Sequence, residues 1–361
     1  MSSPNARILL AMAGRLMKHP AAPYHEAAVC DEIRDICSEN CLDFELDRFG
    51  NVLVRLRTGD ALRPLVLAAH MDHPGFEVLR KTTDRSWLAR FLGGVPDQYF
   101  RPGTPLRLMP GAIAAKLGRR KDKDKIFETS VASRIAAEPV FAVWELDDFS
   151  VRGWRIHGRS CDDLIGVACI LTALIELKRS RAKVNVIGAI SRAEEVGFHG
   201  ALALAASHSL PKNALIVSLE TSRELPGVTM GEGVIIRVGD RTSIFDSDGT
   251  RFLSEVANQL ETANKGFQFQ RALMSGGTCE ATAYQEFGYQ SAAVCVALGN
   301  YHNCANRNRI EAEFVNIADA RGMVELLAAA SRQMKSYPKF VNKLRERLKK
   351  MTREAEKKLR K

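Results

Sequence analysis

Apolar positions along the chain recur at two periods, and the alternation between them sets out the elements. Residues 5–19 and 24–40 have helical spacing and predict two helices separated by His19-Pro-Ala-Ala-Pro23. Residues 44–46 and 51–56 read as a hairpin turned at Asp47-Arg-Phe-Gly-Asn51. A fully apolar strand over 64–69 then delivers His70-Met71-Asp72. Between 76 and 157 the pattern changes to short strand-like pieces (87–91, 105–108, 140–145), with Gly- and Pro-rich turns and a charged loop at 118–125. Helical spacing returns over 167–177, after Gly158-Arg-Ser-Cys-Asp-Asp-Leu-Ile-Gly166. A buried strand over 184–190 precedes Glu194 and Glu195, and Gly197 and Gly200 turn the chain into a helix at 201–207. Strands at 214–219 and 292–298 lead to Glu220 and to Gly299-Asn-Tyr-His302, and Ser275-Gly-Gly-Thr278 is a glycine loop opening a helix. A helix over 315–335 closes the domain, and Pro338 is expected to separate it from a basic helix at 344–359.

This order predicts an α/β fold, a mixed sheet flanked by helices, with a small β domain inserted. The expected division is an α/β domain built from 1–75 and 158–335, an inserted lid or oligomer-contact domain at 76–157, and a basic helical tail at 336–361. A length of 361 residues accommodates it, and 46 % hydrophobic and 26 % charged residues are ordinary for a globular protein.

The net charge of +10 suggests nucleic acid until it is located. Residues 335–361 hold 12 Lys+Arg against 3 Asp+Glu, a net of +9, so the remainder carries only +1. The tail has the charge to bind nucleic acid by counterion release, but a solvated basic helix serving solubility or assembly is the favoured reading. Eight cysteines without a CxxC pair fit a reducing, cytoplasmic setting. No run approaches the roughly 20 apolar residues of a bilayer-spanning helix, so no membrane partner is expected.

Five places put a ligand-type residue just beyond an apolar strand or at a glycine-marked turn: His70, Asp162, Glu195, Glu220 and His302. Any one of them reads as an ordinary polar residue or helix cap. Together, at one edge of an α/β sheet, they form a donor set of two imidazoles and three carboxylates suited to Zn²⁺, Co²⁺ or Mn²⁺. A shared carboxylate can bridge two such ions about 3.5–4 Å apart, lowering the pKa of a water and polarising a carbonyl. A carboxylate outside the metal shell must still take the water's proton. Asp72, two residues beyond His70, can orient that imidazole. Cys161, Cys304, His157, His199 and His208 are left out of the set.

Ala68-Ala-His-Met-Asp72, Cys161-Asp-Asp-Leu-Ile-Gly166, Ala193-Glu-Glu-Val-Gly197 and His302 resemble, in this order, the motifs of the tetrahedral aminopeptidase/glutamyl aminopeptidase family of di-zinc metallopeptidases. Asp47-Arg-Phe-Gly-Asn51 and Gly276-Gly-Thr278 match weaker motifs, and the resemblance runs from about residue 5 to 335. It implies a zinc-exopeptidase-like sheet, two divalent ions, a peptide substrate and a large hollow homo-oligomer. Carried over by position, His70 becomes a ligand with Asp72 orienting it, and Asp162 the bridging carboxylate. Glu194 becomes the general base and Glu195 a ligand, with Glu220 and His302 completing the shells and Asp163 structural. The 91 residues between His70 and Asp162 leave room for an inserted domain where this branch has one. Glu220 stands where the family has Asp, His73-Pro74 replaces Glu-Ile, and Cys279 follows Gly-Gly-Thr where an acid is usual. Tyr301-His302-Asn303 is shared with deacylase relatives. These departures bear on specificity and remove no catalytic group.

The resulting expectation is a metal-dependent aminopeptidase. Its rivals are a deacylase or amidohydrolase acting on small N-acyl substrates, and an inactive binding protein that holds nucleic acid with its tail.

Overall fold

The computed structural model describes residues 4–58 and 63–360. Its centre is a mixed sheet whose main path runs, by residue range, 43–46, 52–57, 185–191, 65–70, 215–223, 290–299, 313–316, 155–158 and 150–152. Val234–Gly239 also pairs with Gln290–Gly299, and Phe269–Leu273 pairs with Val234–Gly239. The four strands Asn185–Ser191, Leu65–His70, Leu215–Arg223 and Gln290–Gly299 are mutually parallel, so their carboxyl ends share one edge.

These strands are apolar on both sides because both faces are covered. Leu65, Leu67 and Ala69 join a core with the helices Pro4–Met17, Ala27–Glu39, Cys161–Arg179, Ser247–Ala263 and Ile317–Gln333. The alternating Val66 and Ala68 face a second core with His199–Ala206 and Glu280–Glu286. Helix Cys161–Arg179 is buried through nearly all its length, as a helix that is apolar all round requires. A mixed α/β sheet flanked by helices is therefore the architecture.

The chain between Gly75 and Trp144 closes into a six-stranded antiparallel barrel. Its interior is aromatic, with Phe76 edge-on to Phe91 at 4.9 Å and to Trp144 at 5.0 Å between ring centroids. The expected boundary at 157 falls inside a strand. Ser150–Arg152 and Arg155–Gly158 pair with each other, and Arg155–Gly158 with Glu313–Asn316, so they belong to the large sheet.

Four expected boundaries shift. Part of the presumed loop at 118–125 is strand, since Ile113–Arg120 runs through it before an exposed turn. The helix expected at 167 begins at Cys161, with non-helical backbone at Asp162 and Asp163. The strand expected to end at Glu220 continues to Arg223. A short turn at Met334–Ser336 parts the helices Ile317–Gln333 and Tyr337–Leu359, and Pro338 sits in the first turn of the second, which starts ahead of the expected 344 because a missing N–H costs nothing there. Tyr337 packs edge-on against Phe252 at 5.1 Å, fixing the tail's first turns to the body.

Candidate metal centre at the carboxyl edge of the sheet

Each expected ligand is carried to the sheet edge by a different element. His70 is the last residue of its strand, and Glu194 and Glu195 follow Asn185–Ser191, in register beside it. Glu220 lies in Leu215–Arg223, His302 in the turn after Gln290–Gly299, and Asp162 at the opening of Cys161–Arg179. Ligands gather at this edge of an open α/β sheet because side chains from successive parallel strands converge there.

The Glu194-Glu195 turn is held from several directions. Arg192 N donates to Asn51 Oδ1 at 3.1 Å and Ala193 N to Glu26 Oε1 at 3.0 Å, while Arg192 Nε pairs with Glu26 at 2.8 Å. Gly197 has φ +116°, and a Cβ on Gly200 would lie 2.4 Å from Arg192 N, so both positions demand glycine. Asp72 completes the hold: its Oδ1 accepts from Glu194 N at 2.9 Å and its Oδ2 from Glu195 N at 3.1 Å.

The two imidazoles are oriented alike. His70 Nδ1 donates to the Asp72 carbonyl at 3.1 Å, with Asp72 Oδ1 at 3.5 Å. His302 Nδ1 donates to the Gly94 carbonyl, supplied by the barrel, at 3.0 Å. Protons on Nδ1 leave both Nε2 lone pairs facing the carboxylates. His70 Nε2 lies 3.6 Å from Asp162 Oδ1, and His302 Nε2 lies 3.6 Å from Asp162 Oδ2 and 3.3 Å from Glu195 Oε2. Asp162 thus presents one oxygen to each imidazole. Glu194 Oε2 is 4.0 Å from His70 Nε2.

Donor atoms within mutual reach form the groups His70–Asp162–Glu220 and Asp162–Glu195–His302, sharing Asp162, and a third group of His70 with Glu194 and Glu195. Among the described residues no such group includes a cysteine. On the candidate ligands, the carboxylate oxygens Asp162 Oδ1, Glu195 Oε1 and Glu220 Oε1 are buried without a hydrogen-bond partner. Burial, against the pull of His70, pushes Glu220 up to about 8. Burial also holds Glu194 well above the ordinary carboxylate range; His70 opposes the shift, and Glu220, Glu195 and Glu280 add to it.

Glu313, Glu280 and Arg237 had no sequence signal as such. Glu313 accepts from the backbone N–H groups of both Asp162 and His302. His73, a departure assigned to specificity, is instead buried under the site, donating to the Asp162 carbonyl at 2.9 Å with Asn303 Oδ1 at 2.9 Å from its other nitrogen. Asp163 turns away and accepts from Gly166 N at 3.2 Å. Glu280, after Cys279, accepts from Ser191 Oγ behind the centre. Arg237 lines the cleft, whose open volume is about 480 Å³, with Thr221, Met274, Thr278, Cys279 and Tyr301. The side chain of Arg237 is buried, its Nη1 meets Ser222 Oγ at 3.4 Å, and its Nε has no partner.

Residues 140–323 match the model of the M42 glutamyl aminopeptidase family. Among solved structures the chain is similar to the Pyrococcus horikoshii TET1 peptidase, with 23 % identity, 90 % of this chain and 99 % of that chain covered, and a TM-score of 0.74. That protein can assemble into a tetrahedron or a large octahedral shell. An aminopeptidase from Desulfurococcus kamchatkensis is 20 % identical over 94 % of this chain and 98 % of that one, at a TM-score of 0.75. A TET aminopeptidase from a marine-sediment thaumarchaeote is 18 % identical, covers 93 % and 99 %, and has a TM-score of 0.77. At these identities the likeness is one of fold.

Proposed function

Because the chain belongs to the M42 glutamyl aminopeptidase family, we propose that it is a two-metal aminopeptidase whose centre is the paired ligand groups sharing Asp162. One observation carries the reading. Two ligand atoms about 2.1 Å from one tetrahedral ion stand about 3.4 Å apart. The separations His70–Asp162, His302–Asp162 and His302–Glu195 are 3.6, 3.6 and 3.3 Å. They are too long for good hydrogen bonds and match the edge of a coordination shell. The unpartnered oxygens of Asp162, Glu195 and Glu220 fit the same account, since a buried carboxylate without a donor or cation is costly.

His70, Asp162 and Glu220 would hold one ion, and Asp162, Glu195 and His302 the other; Zn²⁺ suits the donors, with Co²⁺ and Mn²⁺ as alternatives. When bound, the ions supply Lewis acidity toward the scissile carbonyl and make water acidic enough to be deprotonated near neutrality. Glu194 is the proton carrier. Its carboxylate takes the proton of the attacking water and returns it to the leaving amine nitrogen. Asp72 keeps that carboxylate aimed by holding its backbone. The turn carrying His302 and the glycine loop at 276–278 line the cleft that would receive the peptide's first residue.

A preference for an acidic first residue is supported by Arg237, a buried guanidinium lining the cleft whose Nε has no hydrogen-bond partner and whose nearby carboxylates include Glu220, itself a candidate metal ligand. A substrate carboxylate would supply the partner that a buried charge requires. The protein assembles as a homo-oligomer, as the Pyrococcus horikoshii relative does. Its eight cysteines remain free thiols, which supports a cytoplasmic setting. No helix among the described residues is long and apolar enough to cross a membrane.

The test is Glu194→Gln, assayed on aminoacyl p-nitroanilides alongside N-acetyl amino acids, with bound metal counted in both proteins. Wild type is expected to hold two ions per chain and cleave the anilides only. The variant should keep both ions and lose about 10²–10⁴-fold in kcat. Undiminished activity in the variant, or wild type free of metal after loading, refutes the proposal.

A further inference from the structure

Asp162 and His302 share a backbone problem. Asp162 sits at the opening of its helix with φ −82° and ψ 108°, outside the helical region. His302 occupies a tight turn with φ +55° and ψ 36°, a left-handed conformation uncommon for residues other than glycine. Neither N–H is satisfied by a sheet ladder, and both belong to residues whose side chains face the same shared centre. One carboxylate answers both: Glu313 Oε2 accepts from Asp162 N at 3.0 Å, and Glu313 Oε1 accepts from His302 N at 2.8 Å.

Glu313 is fully buried. Its strand, Glu313–Asn316, lies between the two segments it ties together. Gly158, four residues before Asp162, is its register partner on one side, and Gly299, three residues before His302, pairs with Phe314 on the other. The Glu313 side chain therefore spans the gap between the two ligand-bearing segments.

We propose that Glu313 is a positioning residue that sets the spacing of Asp162 and His302, and so the affinity of the metal subsite formed by Asp162, Glu195 and His302. The inference rests on the two-metal reading above. The subsite of His70, Asp162 and Glu220 depends on Glu313 only through Asp162, whereas the other depends on it through two of three ligands. Both oxygens are in use, so glutamine cannot replace the side chain. Its carboxamide offers one acceptor and turns an NH2 group toward the second N–H. Aspartate keeps both acceptors on an arm one methylene shorter.

The experiment is calorimetric titration of the metal-free full-length chain with Zn²⁺, together with the visible spectrum on titration with Co²⁺. It compares wild type, Glu313→Gln, Glu313→Asp and, as control, Glu311→Gln, a half-buried glutamate paired with Arg309. Two ions are expected for wild type and the control. For Glu313→Gln one ion should bind nearly as in wild type and the second about 10–100-fold more weakly, with an altered Co²⁺ spectrum for that ion only. Glu313→Asp should fall between the two. Thermal unfolding in EDTA checks that each variant is folded, and if the glutamine variant is not, the aspartate variant carries the test. Two ions bound by the variants as tightly as by wild type, or equal weakening of both ions, overturns the inference and leaves the two-metal reading standing. A wild type that binds no metal overturns that reading instead.

Discussion

Asp72→Asn isolates what a single buried carboxylate does for the reactive turn. Asp72 has no solvent exposure, and its two oxygens accept from Glu194 N and Glu195 N at 2.9 and 3.1 Å. Asparagine has nearly the same volume but one acceptor, so one N–H loses its partner and faces an NH2 group. Losing a hydrogen bond to a charged group removes about 1.5–3 kcal/mol, and leaving a buried donor unpaired costs about 1–3 kcal/mol. These overlap, and the turn keeps its tethers to Glu26 and Asn51. The net loss of stability is therefore expected at about 2 kcal/mol in the metal-free protein, read from urea unfolding in EDTA. Because the displaced residues include the proton carrier, kcat/KM should fall about 10²-fold even at saturating metal. The contact of Asp72 Oδ1 with His70 Nδ1 at 3.5 Å offers a competing account, in which Asp72 acts only by orienting a ligand. In that case excess metal restores full activity to the variant. Such rescue, or wild-type stability in EDTA, would refute a role for the two backbone bonds in aiming the turn.

Four further outcomes follow from the same structure. Burial raises the Glu280 carboxyl to about 7 from an ordinary 4.5, against opposition from His70 and Ser191. A carboxyl raised on folding favours the native state below its unfolded value and loses that advantage as pH climbs through its folded value. Glu280→Gln should thus gain about 2 kcal/mol relative to wild type between pH 5 and pH 8, measured by denaturant unfolding without metal, and an unchanged difference sinks the assignment. Arg237→Met should abolish a preference of about 10²-fold for glutamyl over glutaminyl p-nitroanilide while sparing the leucyl substrate. Equal wild-type rates on the first two would remove the carboxylate-receptor role. In the tail, Tyr337→Ala should cost about 3 kcal/mol because the ring is buried against Phe252. Deleting 345–361, all exposed where described, should leave the melting temperature unchanged; a large drop would show that the projecting helix packs on something.

The ligand set was readable in one dimension because of how parallel sheets are built. A strand buried on both faces is a run of apolar residues, and the first polar residue after it marks the sheet edge. His70, Glu195 and His302 each follow such a run, and Glu220 interrupts one near its end. Charge was equally local: nearly all of the net positive charge falls in the last 27 positions. Hydrogen bonding across the fold was not local, and so could not be read. Glu313 meets Asp162 across 151 positions, Asn51 meets Arg192 across 141, and His73 meets the Asp162 carbonyl across 89. In the chain His73 is only an unusual neighbour of Asp72, yet in the fold it is a strut. The choice between Asp162 and Asp163 came from the family resemblance and not from spacing. Adjacent acids look alike in sequence, and the irregular backbone at the helix opening sends one carboxylate to the imidazoles and the other to Gly166. Pro338 marked the break between the last two helices, but that the second begins at Tyr337 and not at 344 depends on the core against which Tyr337 packs. Periodicity records which face of an element is buried, whereas the partner of a buried polar group depends on chain segments that meet only after folding.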